Sequence, residues 1–410
     1  MCNGFFILVN FFYRISAVFL ILCWMCACST NTLQGGEGGA ATHADSISKQ
    51  GIIHVTNRVA DWQLDHLHDF GGHIRKQIER SKDPREWHQG TFFKGLADWA
   101  VETEDKKKLL WLRELALSQE FKLGDRLYHA DDHVVGQYYL LLYDYFSDPT
   151  MFEPIQKQFN LILAAPSDVS LDFDSPGVEK GYYKRCLKRW CWSDALFMSP
   201  PVWTRLTKIT GNSDYVDFSN SEFWITVNYL FDRDSGLFFR DSRFFWERES
   251  NGEKIFWSRG NGWVFSGLTD IIDNLPDDHP DMDRYIKLYL SMASALLPLQ
   301  GKQGYWPVSL RAGDLYPAPE TSGTAFFVAG LAWGISNGLL DKDTYVPSVL
   351  TGWSALTRSV APTGMIGWVQ QVGEAPDRVF EDETQFYGAG AFLLAGSAVL
   401  RLHAAGILPL

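Results

Sequence analysis

The segment KRWCWSDALFM, residues 188–198, sets one carboxylate, Asp194, among aromatic side chains, just after basic residues and just before an apolar run. A carboxyl in that company has two available jobs. It can cap the helix that starts beside it, where aspartate is favoured, although Ser193 competes for the same duty. Alternatively, Trp190 and Trp192 exclude water from it and raise its pKa, which makes an aspartate a proton donor near neutral pH. Trp192 also counts as a candidate sugar contact, since indoles bury apolar area while keeping a polar edge.

Acid chemistry needs partners, and three other stretches supply them. HADDHVVG offers Asp131, Asp132 and His133. One of the adjacent acids caps its helix; the other either keeps Asp194 protonated by like-charge repulsion or bonds substrate hydroxyls. Asp132 is the favoured second catalytic carboxylate, with Asp131 and His133 as substrate contacts. WSRGNGWV holds Arg259 and Trp263 four residues apart, so both can share a helical face. Arg259 would then grip a carboxylate and Trp263 would offer a flat platform to a sugar ring. The competing reading makes Arg259 structural, bonded to loop carbonyls. The stretch is no phosphate loop, because it lacks the preceding strand and the Lys-Ser/Thr ending. Glu320 in PETSGT is by default a helix cap.

The formal net charge of −12 offers no basic field, so nucleic acid is not an expected partner. A small anion remains open, because Lys180, Lys184, Arg185, Lys188 and Arg189 cluster locally. No Cys/His spacing suggests zinc, and the three histidines of HLHDFGGH (66–73) read as the surface of a helix. Neither metal nor cofactor is expected.

Residues 1–28 read as a targeting segment. Arg14 is the single charge in a long apolar run that reaches Cys28 through MCACS, similar to a bacterial lipoprotein signal with lipidation at Cys28. The rival is an uncleaved span over 4–27. Residues 29–50, rich in Ser, Thr, Gly and Ala, read as a flexible tether, and 51–410 as the catalytic domain. This predicts an exported protein, in the periplasm or anchored in the outer membrane. Of the six cysteines, Cys186 and Cys191 fall outside the signal, and export permits a disulfide between them.

The elements that must position these side chains repeat. Six stretches, from Trp87, Ala130, Trp192, Trp257, Pro319 and Glu383, each begin with polar or glycine-rich residues and continue as a nearly apolar helix. The markers Asp131, Asp194, Arg259, Glu320 and Glu383 lie 63, 65, 61 and 63 residues apart, the signature of a repeated unit. Each unit adds a second, amphipathic helix with apolar residues every three or four positions, such as DMDRYIKLYLSMASALLPL. With an opening helix near 52–80, the prediction is an all-α fold, an (α/α)6 barrel of six helical hairpins. The inner-helix starts then converge at one end, where free N–H groups suit an anionic ligand.

RLYHADDHVVGQYY, WSDALFM, KIFWSRGNGWV, PETSGTAFF and FYGAGAFLLAGS, in that order, resemble glycoside hydrolase family 105, the unsaturated rhamnogalacturonyl hydrolases. The related family 88, the unsaturated glucuronyl hydrolases, is a more distant match. The resemblance spans about residues 55–403 and implies the same barrel. It implies a substrate left by a polysaccharide lyase, an oligosaccharide ending in a C4=C5 unsaturated uronate. It further implies that Asp194 protonates the vinyl ether at C4 and assists water at C5, that an aspartate of the ADDH segment supports it, and that Arg259 and Trp263 bind substrate. Where many members carry histidine after the Leu-aromatic-aromatic of the long loop, GLFFRD places Arg240, followed by Asp241. Arg240 in that place can hold the substrate carboxylate and points away from the standard rhamnogalacturonan product.

Two other classes fit the same residues. An inverting glycosidase would use Asp194 with Asp132 or Glu320 as acid and base, about 6.5–9.5 Å apart. A non-catalytic sugar-binding lipoprotein would need only the aromatics and arginines. A sugar epimerase would want a histidine pair at the cleft, which the sequence does not offer.

Overall fold

The hydroxyl of Ser48 accepts the Gly51 N–H at 3.0 Å and so fixes where the first helix begins. In this computed structural model, which describes residues 47–68, 74, 82–173 and 185–408, that helix is α1 (Lys49–Asp65). It starts two residues inside the predicted tether, and residues 1–46 of the segment read as signal and tether, Cys28 included, lie outside the described residues. There follow α2 (Trp87–Glu102), α3 (Lys106–Ser118), α4 (Val135–Phe146) and α5 (Glu153–Ala164). A one-turn α6 (Ala195–Met198) runs into α7 (Pro200–Thr210), then α8 (Ser213–Leu230). After a short antiparallel hairpin, β1 (Phe231–Asp232) and β2 (Leu237–Phe238), come α9 (Ser258–Asn274), α10 (Met282–Leu296), α11 (Thr321–Ser336), α12 (Lys342–Arg358) and α13 (Phe386–Ala404).

The helices pack as the repeat demands. Among the described residues α2, α4, α7, α9, α11 and α13 each touch the next, and α13 returns to α2, which closes a ring. Outside it α1 lies on α13, α3 on α2, α8 on α7, α10 on α9 and α12 on α11, with α5 against α8. This is the (α/α)6 barrel. Inner helices are buried over most of their length because both faces meet helices, with exposed polar residues such as Asp144, Lys208 and Arg401 toward their C-terminal ends. Their glycines allow close crossing: a Cβ on Gly95 of α2 would lie 2.3 Å from the Gly390 carbonyl oxygen of α13. The abundant tryptophan is largely core: Trp99, Trp203, Trp263, Trp306 and Trp353 are fully buried.

One helix expectation is corrected. The opening helix stops at Asp65, and His66 stacks on Trp62 with ring centroids 4.1 Å apart while its Nδ1–H donates to the Trp62 carbonyl at 2.6 Å. That local bond ends the helix before HLHDFGGH, whose residues 69–73 lie outside the described residues.

Candidate active site

The inner-helix starts do converge. Asp194 precedes α6 and is the natural candidate for its cap, yet its carboxylate makes no capping bond. It accepts instead from the Ser193 hydroxyl at 3.1 Å and faces Arg240, whose Nε lies 3.5 Å from Oδ2. Burial raises the Asp194 pKa, against the opposing charges of Arg240 and Arg259. The turn carrying it is held from several sides. Ser193 N–H donates to the Arg240 carbonyl at 2.8 Å, Gln137 of α4 donates to the Phe197 carbonyl at 2.7 Å, and Thr226 of α8 donates to the Trp190 carbonyl at 2.6 Å. Cys186 and Cys191 are disulfide-bonded just upstream, their Cα atoms 5.6 Å apart.

The two adjacent acids divide differently from the sequence expectation. Asp132 is buried and belongs to Arg126, which donates its backbone N–H at 2.7 Å and its Nε–H at 2.8 Å, with Nη2 also on the carboxylate. Asp132 is therefore the anchor of the 124–133 loop and not a carboxylate offered to the cleft. Asp131 is the one left partly open, with 19% of its side chain exposed. Its pKa is pushed up to about 7, by burial first, with Asp194 and Asp132 adding repulsion against the pull of Arg126 and Arg240. Neither acid caps the helix that follows, contrary to the expectation for one of them; Asp132 is instead held by Arg126, six residues upstream, which no periodicity marks.

His133, expected to touch substrate, is buried and fully bonded. Its Nε2–H donates to the Leu127 carbonyl at 3.0 Å and its Nδ1 accepts from the Ser199 hydroxyl at 2.7 Å. Burial pushes its pKa down to about 4, so it is neutral and structural. The histidine beside the acids is His129, two residues before Asp131. Its Nδ1 lies 3.8 Å from Asp131 Oδ2 and its ring lies 5.2 Å from that of Trp192. Burial, helped by Arg126, holds its pKa well below the usual histidine range, so it stays uncharged beside the carboxyl pair. It lies inside the HADDH stretch, and nothing in the local spacing marks its contact with Asp131.

Arg259 and Trp263 are corrected as well. Arg259 is 1% exposed; Nη1 donates to the Gln370 carbonyl at 2.7 Å and Nη2 to the Gln371 carbonyl at 2.9 Å. Its guanidinium carbon lies 4.5 Å from the Trp257 ring and 4.6 Å from that of Tyr387. Buried, with both terminal nitrogens on backbone oxygens, it presents no exposed fork to a carboxylate, and it acts on the site through its charge and by fixing the 370–371 segment. Trp263 is packed between Phe197 and Phe326, with centroids at 4.9 and 4.5 Å, and so forms the core beneath the cleft and not a platform in it. Trp192 is likewise nearly enclosed at 2% exposure, beside His129. Glu320 caps α11 as expected, accepting from Ser322 N–H at 3.0 Å and Gly323 N–H at 2.7 Å, so that helix start offers no free donors to an anion.

Asn261, inside the RGNGW stretch but given no part by sequence reasoning, clamps the hairpin that delivers Arg240. Its Oδ1 accepts from Phe238 N–H at 2.8 Å and its Nδ2 donates to the Phe238 and Trp257 carbonyls, each at 3.0 Å. Two residues on, Arg240 Nη1 donates to the fully buried Asp241 at 2.8 Å, and Arg243 shares the same carboxylate at 2.7 Å. Phe173 lies beneath both guanidiniums, 5.2 and 4.1 Å from its ring centre. In the basic cluster expected to attract anions, Arg189 forks onto Glu222, both bonds 2.8 Å, and is not free for a ligand. Lys180 and Lys184 lie outside the described residues. The assembled site holds two carboxyls of raised pKa, a neutral imidazole and a guanidinium within one aromatic enclosure. Among the described residues no cluster fits a metal ion.

The chain is similar to known proteins over most of its length. The family described as Glycosyl Hydrolase Family 88 matches residues 55–403. An unsaturated 3S-rhamnoglycuronyl hydrolase of Alteromonas sp. (strain LOR) is 39% identical, over 94% of this chain and 98% of its own. A protein of the same name from Formosa agariphila is 36% identical, over 78% of this chain and 85% of its own. The solved structure of a glycosyl hydrolase family 88 protein from Bacteroides vulgatus superposes with a TM-score of 0.73 at 27% identity, covering 86% of this chain and 99% of that one.

Proposed function

Because the chain belongs to Glycosyl Hydrolase Family 88, we propose a working scheme for its site that starts from that membership. The protein is a glycoside hydrolase that removes a C4=C5 unsaturated uronyl residue from the non-reducing end of lyase-generated oligosaccharides. The bond broken is not attacked directly. Asp194, in its protonated form, delivers a proton to C4 of the enol ether, and the ring oxygen stabilises the positive charge left at C5. Water adds at C5 and its surplus proton returns to the Asp194 carboxylate. The resulting hemiketal opens to a ketone, and the hemiacetal thus freed at C1 expels the neighbouring sugar as an alcohol. One water is consumed.

Asp131 is the supporting carboxyl in this scheme: repulsion between it and Asp194 favours keeping a proton on one of the two. Arg240 neutralises the Asp194 carboxylate once the proton has left, and orients the substrate's own carboxylate. His129, uncharged, offers a hydrogen bond to a sugar hydroxyl without adding charge. The observation that carries the reading is Asp194 itself: a buried carboxyl at a helix start that caps nothing and faces a guanidinium.

The substrate class best supported is an unsaturated rhamnoglycuronyl oligosaccharide, the kind named for the Alteromonas and Formosa relatives. Arg240, standing where rhamnogalacturonyl hydrolases carry histidine, supports the same choice. The deciding experiment is a panel of lyase digests followed by the ultraviolet absorbance of the double bond. Loss of absorbance on rhamnose-linked products is expected; turnover of saturated oligosaccharides alone would favour an inverting glycosidase. Export belongs to the same proposal, since the apolar run ending at Cys28 suits a lipid-anchored enzyme that meets polymer fragments outside the cytoplasm. Cys28→Ala is expected to abolish incorporation of a labelled fatty acid into the protein.

A further inference from the structure

The arginines beside Asp194 carry two carboxylates of unlike standing. Asp241 is fully buried and bonded to both guanidiniums, at 2.8 Å from Arg240 and 2.7 Å from Arg243, and has no route to water. Glu374 is 53% exposed, sits on the segment following Gln371, and reaches in to Arg243 Nη2 at 2.6 Å and to within 4.0 Å of Arg240 Nη1. Arg240, only 9% exposed, keeps its buried Nε–H without a hydrogen-bond partner among the described residues, with Asp194 Oδ2 at 3.5 Å. A donor buried and left unmatched in this way is normally met by something else.

Competition gives the reason. Arg240 and Arg243 already face two carboxylates, Asp241 and Glu374. An anionic sugar entering this enclosure competes with those carboxylates for the same guanidinium donors. One carboxylate must leave, and only the exposed one can do so cheaply, because a half-exposed ion pair holds weakly whereas a buried one does not let go.

We propose that Glu374 is an internal stand-in for a substrate oxyanion: it occupies Arg243 in the empty site, is displaced when the anionic group of the sugar binds between Arg240 and Arg243, and thereby sets the enzyme's selectivity for charged over neutral sugars. The inference rests on the functional reading above. The oxyanion is either the uronate carboxylate or an ester sulfate on the neighbouring sugar, which share this recognition chemistry.

The test is Glu374→Gln. Removing the competitor lowers KM for an unsaturated uronyl oligosaccharide by roughly 2- to 5-fold, the worth of a partly exposed ion pair, and leaves kcat unchanged. Inorganic sulfate, as a simple oxyanion probe, raises the melting temperature of the variant more than that of the wild type. A pair of substrates with and without ester sulfate identifies the group: a KM drop on both marks the carboxylate, a drop confined to the sulfated one marks the sulfate. If KM stays level or rises and sulfate stabilises both proteins equally, Glu374 is only a brace for Arg243 and the proposal is overturned. The sulfate measurement needs no turnover, so an enzyme inactive on every unsaturated uronide would count against the functional reading and still decide the role of Glu374.

Discussion

Arg240 Nε lies 3.5 Å from Asp194 Oδ2, too far for a hydrogen bond and close enough for its charge to act. That spacing gives Asp194 two opposed influences. Burial favours the neutral acid, and the guanidinium favours the carboxylate that remains after proton transfer. A proton donor that must be recharged in every cycle needs both.

Asp194→Asn keeps shape and hydrogen-bonding capacity but cannot give up a proton. Turnover is expected to fall by at least ~10²-fold, within the range attributed to general acid–base catalysis. The melting temperature should hold or rise, since the native carboxyl makes no capping bond and is buried. A variant with near-normal rate in the absorbance assay would leave Asp194 no catalytic part.

Asp131 and Asp132 separate by what each loss damages. Asp131→Asn lowers kcat by at least ~10-fold with little effect on unfolding, as expected of a group near the reacting atoms. Asp132→Asn removes the carboxylate that Arg126 holds through its backbone and its guanidinium. It is expected to cost about 1.5–3 kcal/mol in urea denaturation, the range for hydrogen bonds to a charged group. The reverse pattern would restore Asp132 to the catalytic place the sequence first suggested.

The pH dependence follows from Asp131. Its pKa is 3.8 when unperturbed and about 7 in the folded protein. Between those values the unfolded chain has lost the proton and the folded chain retains it. The folded state therefore binds more protons, and stability falls as pH rises through that window. Below it, both states are protonated and the contribution is complete. Thermal unfolding measured from acid to neutral pH should show this decline, flattened in Asp131→Asn. Because the charges of Asp131 and Asp194 repel one another, the same substitution should move the basic limb of the kcat profile to lower pH.

Asn261→Ala tests the clamp. It strands the Phe238 N–H and carbonyl in a buried setting, each formerly bonded to the amide. A loss of at least ~1–3 kcal/mol is expected, the cost of an unsatisfied buried group. Arg240 loses its bearing two residues away, so KM should rise as well. Unchanged kinetics with reduced stability would show that the hairpin is positioned by other contacts.

The sequence by itself determined the barrel. Near-constant spacing, inner helices apolar on every side and outer helices with one polar face are local properties of the chain. Only one closed arrangement buries six such hairpins, so periodicity sufficed to predict it. The sequence likewise put Asp194 at a helix start beside two indoles and made a cap the default for Glu320, which the structure bears out, because a cap bonds N–H groups two and three residues ahead.

Tertiary structure decided which side chains remain available. Arg259 is taken by two carbonyls more than a hundred residues away, Asp132 by an arginine across a loop, and His133 by Ser199 on the neighbouring unit. Those partners follow from ring closure and leave no trace in local spacing. A charged or polar residue advertises its chemistry in the sequence, but whether that chemistry faces a ligand depends on what the fold has already bonded to it.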